Sequence, residues 1–436
     1  MMTGSKIVPK TLIEHLPAAT LPGPAWLVGV REHAARSLRE VGLPHRKVEA
    51  WRTVPLKPLV AEAYSPAAAA EVPGWATELL PADDGCHRVW LVNGRAVPTG
   101  EVPAGLRIDA LAAAVARDDA DLTRYLGAVA RSEHFAALNA ALFEDGVLVR
   151  VEPGVVLDRP VHIIHVGVSG NGPTVAYPRV LVHLRERAQA VVIETYLGDG
   201  GAKHLTNVVT EVALEPGSQL EHVRVQLGGD TSHHVGVLAV RQDRASVYRS
   251  RTISLGGAMA RLDLDVLLAG EGAECELDGL YHATGREFVD NHTRVDHAVP
   301  HCSSRESYRG IVDGSAHAVF DGTAIVRRDA QRSAAHQENR NLLLSADATV
   351  STKPHLEIDA DDIVASHGAT VGALDDDQLF YLRTRGIELE RARAVLTYGF
   401  VQAIVDEVSH PPIAAWLGAA LRARLPHGAT IEELLS

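Results

Sequence analysis

The chain has 436 residues, a formal net charge of −13, 46% hydrophobic residues and 22% charged residues, a balance that excludes a disordered protein. Its length exceeds one ordinary core, so two or three units or one elongated repeat domain are expected. The acidic balance, with no Lys/Arg cluster on a predicted helix, argues against a nucleic-acid partner.

The opening MMTGSKIVPKTLIEHLPAAT lacks the charged-then-apolar pattern of a signal peptide, and no later apolar run approaches bilayer length. A cytoplasmic location and no membrane partner are expected. From Pro24 to Val41 the spacing of Leu27, Val30, Ala34, Leu38 and Val41 predicts an amphipathic helix that Gly42 and Pro44 end. A second helical region runs from Leu111 to Phe143, where Leu138, Ala141 and Leu142 share a face. Between the two lie Pro- and Gly-rich sequence and a short strand signal, HRVWLVNG. Residues 1–145 read as a mixed, mainly helical domain.

At Gly146 the composition turns to β-branched residues in alternation: GVLVRV, VHIIHVGV, RVLVHL, AVVIETYL. Short phrases then recur in which a small or polar turn precedes a strand: RAQAVVIE, PGSQLEHV, RASVYRS, GAECELD, GSAHAVF and ADATVST. The first four are offset by roughly 27–29 residues, a solenoid spacing. The predicted fold is therefore mainly β: a right-handed parallel β-helix over 146–375, whose coils bury a continuous inward face only by stacking. Residues 376–436 return to helix and are expected to cap the solenoid end, because a bare last coil exposes pairing groups.

Three stretches carry a family likeness: VEAWRTVPLKPL (Val48–Leu59), FAALNAALFEDGVLVRV, and about a hundred residues from NHTRVDHAVPHCSSRESYRGIVDG through PHLEIDADDIVASHGATVG to LFYLRTRGI. Together they resemble the SufB/SufD family of the SUF iron–sulfur cluster assembly system. The likeness is to the SufD-type branch. SufB-like chains carry a scaffold cysteine where Ala348 stands, and an acidic residue where this chain reads Ser366-His367-Gly368-Ala369-Thr370. Many SufD-like chains have a cysteine two residues before that histidine, whereas here the position is Ala365.

The resemblance implies a non-catalytic subunit that pairs with a SufB-like chain and binds a SufC-like ABC ATPase. It implies no intrinsic cofactor, only transient iron or an iron–sulfur cluster at the interface with SufB. His367 is the implied interface residue and iron ligand, since a neutral imidazole nitrogen suits iron. Arg385, Gly386 and Ile387, with Ala392, Leu396, Gly399 and Phe400, resemble the segment that docks the ATPase; the same apolar residues equally suit a covering face.

Other constellations read as structural. His292, His297, His301 and Cys302 are close in sequence, but strand alternation sends His297 and His301 to one face and His292 and Cys302 to the other. Cys275 is expected inward and inert. Cys86 completes the three cysteines, which form no CxxC pair, so free thiols are expected. Glu357, Asp359, Asp361 and Asp362 form an acidic cluster that suits either iron or a solvated turn between coils. SLGGAM and LGDGGAKH match no phosphate loop, and no Gly-x-Ser-x-Gly or His-Glu-x-x-His motif occurs. The alternatives are a secreted-type β-helix enzyme acting on polysaccharide and a stand-alone homodimeric scaffold.

Overall fold

The computed structural model describes residues 12–16, 21–60, 62–97, 100–130, 133–201, 203–426, 428 and 431. The opening stretch that lacks a signal-peptide pattern lies largely outside these. The centre is a parallel β-solenoid of about eight turns. Each turn gives one strand to each of two facing sheets. The front sheet runs through Gly146–Val151, Arg179–Leu184, His204–Leu214, Ser232–Gln242, Met259–Leu268, Phe288–His297 and His317–Val326 to Thr349–Ile358. The back sheet runs through Val161–Gly167, Gln189–Gly198, Gln219–Leu227, Val247–Leu255, Glu274–Ala283, Ser303–Val312 and Ser333–Leu343 to Ile363–Gly372.

This two-row layout explains the recurring phrases. The first four start consecutive back-sheet strands, beginning at Gln189, Gln219, Val247 and Glu274, whereas GSAHAVF and ADATVST lead into front-sheet strands at His317 and Thr349.

Between the sheets, inward side chains such as Val182, Val212, Leu238, Leu264, Val192, Leu220 and Leu277 stack coil upon coil into one apolar column. Two tyrosines in it interlock: Gly279 pairs with Tyr308 and Tyr281 with Gly310 across adjacent coils. A Cβ on Gly310 would lie 2.1 Å from the Tyr281 ring, and one on Gly279 would lie 2.0 Å from the Tyr308 ring. At the other end, a Cβ on Gly146 would sit 1.7 Å from the Arg179 carbonyl oxygen, so the first solenoid strand needs glycine there.

Both outer faces are covered, but only along part of their length. On the front sheet, Ala34, Leu38, Trp51, Phe135 and Leu138 from the N-terminal region pack on Leu205, Val235, Met259 and Phe288. On the back sheet, Tyr398, Val401, Ile404, Ile413 and Leu417 pack on Ile193, Val223, Ile253, Leu280 and Ile311. Early strands are buried on both faces and read as unbroken apolar runs; later ones alternate, because their outer faces are bare.

Several expectations change. Of the C-terminal helices Asp376–Thr384, Leu389–Asp406 and Pro411–Arg424, the last two lie against the flank of the back sheet and leave the edges of the last coil unpaired, because their apolar stripe matches that sheet's outward Ile and Val row. The N-terminal region joins the solenoid: His87–Val92 pairs in parallel with Val161–Gly167, and Leu106–Ala110 pairs antiparallel with Gly146–Val151. In the first long helix, Ala25–Val41, Val41 is 55% exposed while Arg31 is buried, its guanidinium donating to the carbonyls of Leu21, Pro22 and Phe143. The helical region after Leu111 is three short helices, Leu111–Ala116, Ala120–Tyr125 and His134–Leu142.

Gly310→Ala is expected to lower stability by about 1–3 kcal/mol through overpacking against Tyr281. Chemical denaturation will show this as a lower midpoint at unchanged slope.

Candidate functional site at the open end of the solenoid

The last strand of each sheet has no neighbour beyond it among the described residues. Thr349–Ile358 pairs on one side with His317–Val326, and Ile363–Gly372 on one side with Ser333–Leu343. Their outer edges present a row of backbone donors and acceptors, and such an edge recruits another strand. The surroundings are apolar for a surface: Val364 is 63% exposed and Phe380, on the helix that follows, is 68% exposed. Ile358, Val371 and Tyr381 are exposed as well.

His367 occupies the middle of the last back-sheet strand and is exposed. Ile363 and Ala365 pack against the inner cluster of Ala324, Val326, Ala330 and Ala335, and alternation puts His367 in the same inward row. It therefore stands at the mouth of the solenoid, in a strand and not in a turn. Ala365 pairs with Ala335, so the place of the family's additional cysteine is a small apolar contact. Ala348 is buried at the turn before Thr349.

Beneath His367 the inward row continues through Gln337 to Glu306. Gln337 Nε2 donates to Glu306 Oε2 at 3.1 Å. Burial pushes the Glu306 carboxyl up to about 7. Neither residue was singled out from sequence. The signal was available in SSRESYRGIV, where alternation from Ser304 to Tyr308 turns Glu306 inward.

The acidic residues are split. Glu357 lies at the end of Thr349–Ile358, and Asp359, Asp361 and Asp362 are in the turn to the last strand, Asp362 lying 3.6 Å from Arg332. That is the solvated-turn arrangement. The docking residues sit apart from His367. Arg385 is exposed, its Nη2 donating to Tyr381 Oη at 3.3 Å. Gly386, with φ 83°, turns the chain between two helices. Ile387, just before the helix, is half-buried; in Leu389–Asp406, Ala392, Ala394, Tyr398 and Val401 are buried, Leu396 and Phe400 half-buried and Gly399 exposed. Phe400 also gives its carbonyl to Arg309 Nη1 at 2.6 Å.

The closely spaced histidines separate differently from the alternation argument, because the strand ends at His297 and His301 falls in the turn. His297 points inward and bonds Ser304 Oγ at 2.9 Å. Cys302 is inward too. His292 faces out, 2.9 Å from Asp290. Burial alone would lower the His292 pKa; Asp290 outweighs it and raises it.

Burial raises the thiol pKa at all three free cysteines, that of Cys86 up to about 12. Asp84, Cys86 and His162 bring three donor atoms within 4.8 Å of one another. They form a closed knot. Asp84 accepts from Cys86 N, Arg88 Nε and His162 Nδ1 at 3.0, 3.0 and 2.8 Å, and His162 Nε2 meets Thr195 Oγ1 at 2.8 Å. With Arg88 already balancing Asp84, this group ties the N-terminal region to the solenoid.

Residues 22–163 match the SufBD protein N-terminal region, and residues 165–400 match the SufBD core domain of SUF system FeS cluster assembly. The chain belongs to the SufBD family. It is 30% identical over 404 residues to the iron–sulfur cluster assembly protein SufD of Escherichia coli, covering 92% of this chain and 93% of that one. A SufBD family protein of Synechocystis is 31% identical over 411 residues, 90% and 89% of the two chains. SufD of Bacillus subtilis is 28% identical over 285 residues, 63% of each. Family membership establishes iron–sulfur cluster assembly as the setting of the solenoid. No helix of the described residues is long and apolar enough to cross a membrane.

His204, His233, His282 and His297 are each pushed down to about 4, chiefly by burial. Their unfolded forms take up protons near pH 6.5 and the folded forms only near 4, so stability falls as pH drops through that window. Each contributes up to about 2 kcal/mol of destabilisation at pH 5. Glu306 acts oppositely: its raised pKa favours the folded state at low pH, an advantage lost as pH rises from 4.5 towards 7. His292 and Asp278, both raised, act with Glu306, but the lowered histidines, His162, His165 and His234 among them, outnumber these, so the melting temperature is expected to drop on acidification from pH 7.5 to 5.

Proposed function

We propose that this SufBD family protein is a non-catalytic, cytoplasmic subunit of the SUF machinery that pairs through the open end of its solenoid with a SufB-like chain. The carrying observation is the last coil: two strands unpaired at their outer edges, fringed by exposed Val364, Val371 and Phe380, with His367 at the mouth between them. Adding a partner's strands satisfies the open backbone groups and covers the apolar fringe. His367 then lies in the joint, where its imidazole holds incoming iron while a nascent cluster forms. Iron is cargo here, held transiently.

The docking face for a SufC-like ATPase is the exposed turn at Arg385 and Gly386 and the outer side of Leu389–Asp406. That helix uses its opposite side on the solenoid, so one helix serves both partners. ATP-driven closure of the ATPase reaches the interface through the solenoid only if the ATP-bound form prefers one arrangement of the two stems.

A second reading has one specific support. The same edge serves a second copy of this chain as well as a SufB-like one, since backbone pairing carries little sequence preference. A homodimeric scaffold is therefore the competing state.

Affinity purification of the tagged protein at native expression, with partners identified by mass spectrometry and iron and sulfide assayed, tests the reading. A SufB-like chain and an ABC ATPase are expected; recovery of self-dimer alone sinks the heteromeric assignment. His367→Ala is expected to lower iron–sulfur yield with the complex intact, and an unchanged yield removes His367 from the site. Val364→Lys combined with Val371→Lys is expected to release the partner at the edge while the chain stays folded, read by size-exclusion chromatography.

A further inference from the structure

At the closed end of the solenoid, the turn that precedes His87–Val92 reads Asp84-Gly85-Cys86. Gly85, at φ 68°, folds the backbone so that Cys86 N donates to Asp84 Oδ1 at 3.0 Å. Asp84 then meets His162, which alternation turns outward on Val161–Gly167, away from the inward Val161 and Ile163. A further side chain arrives from far along the chain: His410, which opens the helix Pro411–Arg424, puts Nε2 3.7 Å from Cys86 Sγ.

Asp84, Cys86 and His162 are buried, and theirs is the one group of three such donor atoms within 4.8 Å of one another among the described residues. Tying the N-terminal region to the solenoid requires only Asp84, Arg88 and His162. It leaves the Cys86 thiol and His410 unexplained, although both face the Asp84 carbonyl oxygen, Sγ at 3.4 Å. Their mutual spacing fits two ligands of one ion: a sulfur bonded at about 2.3 Å and a nitrogen at about 2.0–2.1 Å lie about 3.6 Å apart around a tetrahedral centre. Thiolate, two imidazoles and a carboxylate make a donor set that zinc takes.

The hydrogen bonds already present permit an ion to enter. His162 bonds Asp84 Oδ2 through Nδ1 and Thr195 Oγ1 through Nε2, both at 2.8 Å. Moving its proton from Nδ1 to Nε2 frees Nδ1 for the ion, while the Thr195 oxygen accepts the new N–H. His410 changes tautomer likewise, its proton passing from Nε2 to Nδ1. Only Cys86 loses a proton outright, to solvent, so one proton leaves for each ion bound. A divalent ion, one thiolate and one carboxylate then sum to zero charge. Arg88 keeps its bond to Asp84 Oδ2 at 3.0 Å, and its side chain, 23% exposed, holds its own charge against water.

We propose that Asp84, Cys86, His162 and His410 form a zinc site that staples the N-terminal region, the first back-sheet strand of the solenoid and the last helix to one another. Four protein ligands fill a tetrahedral sphere and leave no open position, so the role is structural. The side chains draw in by about 1 Å to reach bonding distance. Ion binding then adds to folding free energy, and it fixes the start of Pro411–Arg424, whose Ile413 and Leu417 pack on the back sheet. The site lies seven strand steps from His367 along that sheet, about 34 Å at about 4.8 Å per step. It is thus separate from the open end and from any cargo held there.

The test is Co(II) titration of the chelator-treated full-length protein, read by visible absorption, followed by displacement with Zn(II). One ion per chain is expected, with tetrahedral d–d bands, a thiolate-to-cobalt charge-transfer band, one proton released per ion and a melting temperature raised by Zn(II). Cys86→Ser is expected to abolish the charge-transfer band. His410→Ala, at a half-buried position, is expected to weaken binding by more than the roughly ten-fold that loss of a group orienting a metal ligand costs, with the metal-free melting temperature close to wild type. No stoichiometric binding in the wild type, a charge-transfer band that survives Cys86→Ser, or wild-type affinity in His410→Ala overturns the proposal. The wild-type spectrum and proton release decide the matter even if a variant fails to fold. Neither readout involves a partner chain, so failure here is distinct from failure of the assembly reading.

Discussion

Everything in this molecule depends on parallel coil-on-coil stacking. A coil of roughly 27–30 residues has too little apolar surface to close a core by itself, so each is stable only with neighbours above and below. At the N-terminal end that requirement is met within the chain, by Leu106–Ala110 and His87–Val92 extending the two sheets. The other end has no such strand among the described residues, and its last coil carries Val364 and Val371 into solvent. The two ends of the solenoid therefore differ: one is closed by strands of the chain itself, and the other leaves the edges of its last strands unpaired among the described residues.

The helical flanks follow the same logic in the perpendicular direction. N-terminal helices cover the early front sheet, and C-terminal helices cover the back sheet from Ile193 to Ile311. Their apolar faces stop short of the last two strands, where the N-terminal region makes one polar contact, Lys353 Nζ donating to Glu49 Oε1 at 2.7 Å. The tyrosine–glycine interlocks at Gly279, Tyr281, Tyr308 and Gly310 lie in the coils beneath Leu389–Asp406 and resist sliding of one coil over the next.

Gln337 and Glu306, in the row beneath His367, interrupt the apolar column near the open end. Deeper in, a second polar centre at Glu194 is fully compensated: its carboxylate is bonded to His165, His222, Tyr196 and Thr210, and Arg224 lies over the Tyr196 ring. The contrast is informative. Glu194 is buried among charged and polar partners and stays ionised, while Glu306 has only the neutral Gln337 amide and Thr293 hydroxyl beside it, and burial pushes its carboxyl up to about 7.

The amino-acid sequence by itself determined the class of fold, because a period of two inside a recurrence near 28 residues permits little besides stacked parallel coils. It also determined the SufBD signature, since that is carried by contiguous residues. Tertiary structure decided the rest. Whether the C-terminal helices capped the end or the flank depended on which surface offered a matching apolar row, and that row is assembled from Ile193, Val223, Ile253, Leu280 and Ile311, each on a different coil. His297 and Cys302 turned to the same side because the strand stopped at His297, a boundary that local alternation does not reveal. Gln337 and Glu306 became neighbours of His367 through register alone: residues about 30 positions apart in the chain lie one coil apart in space.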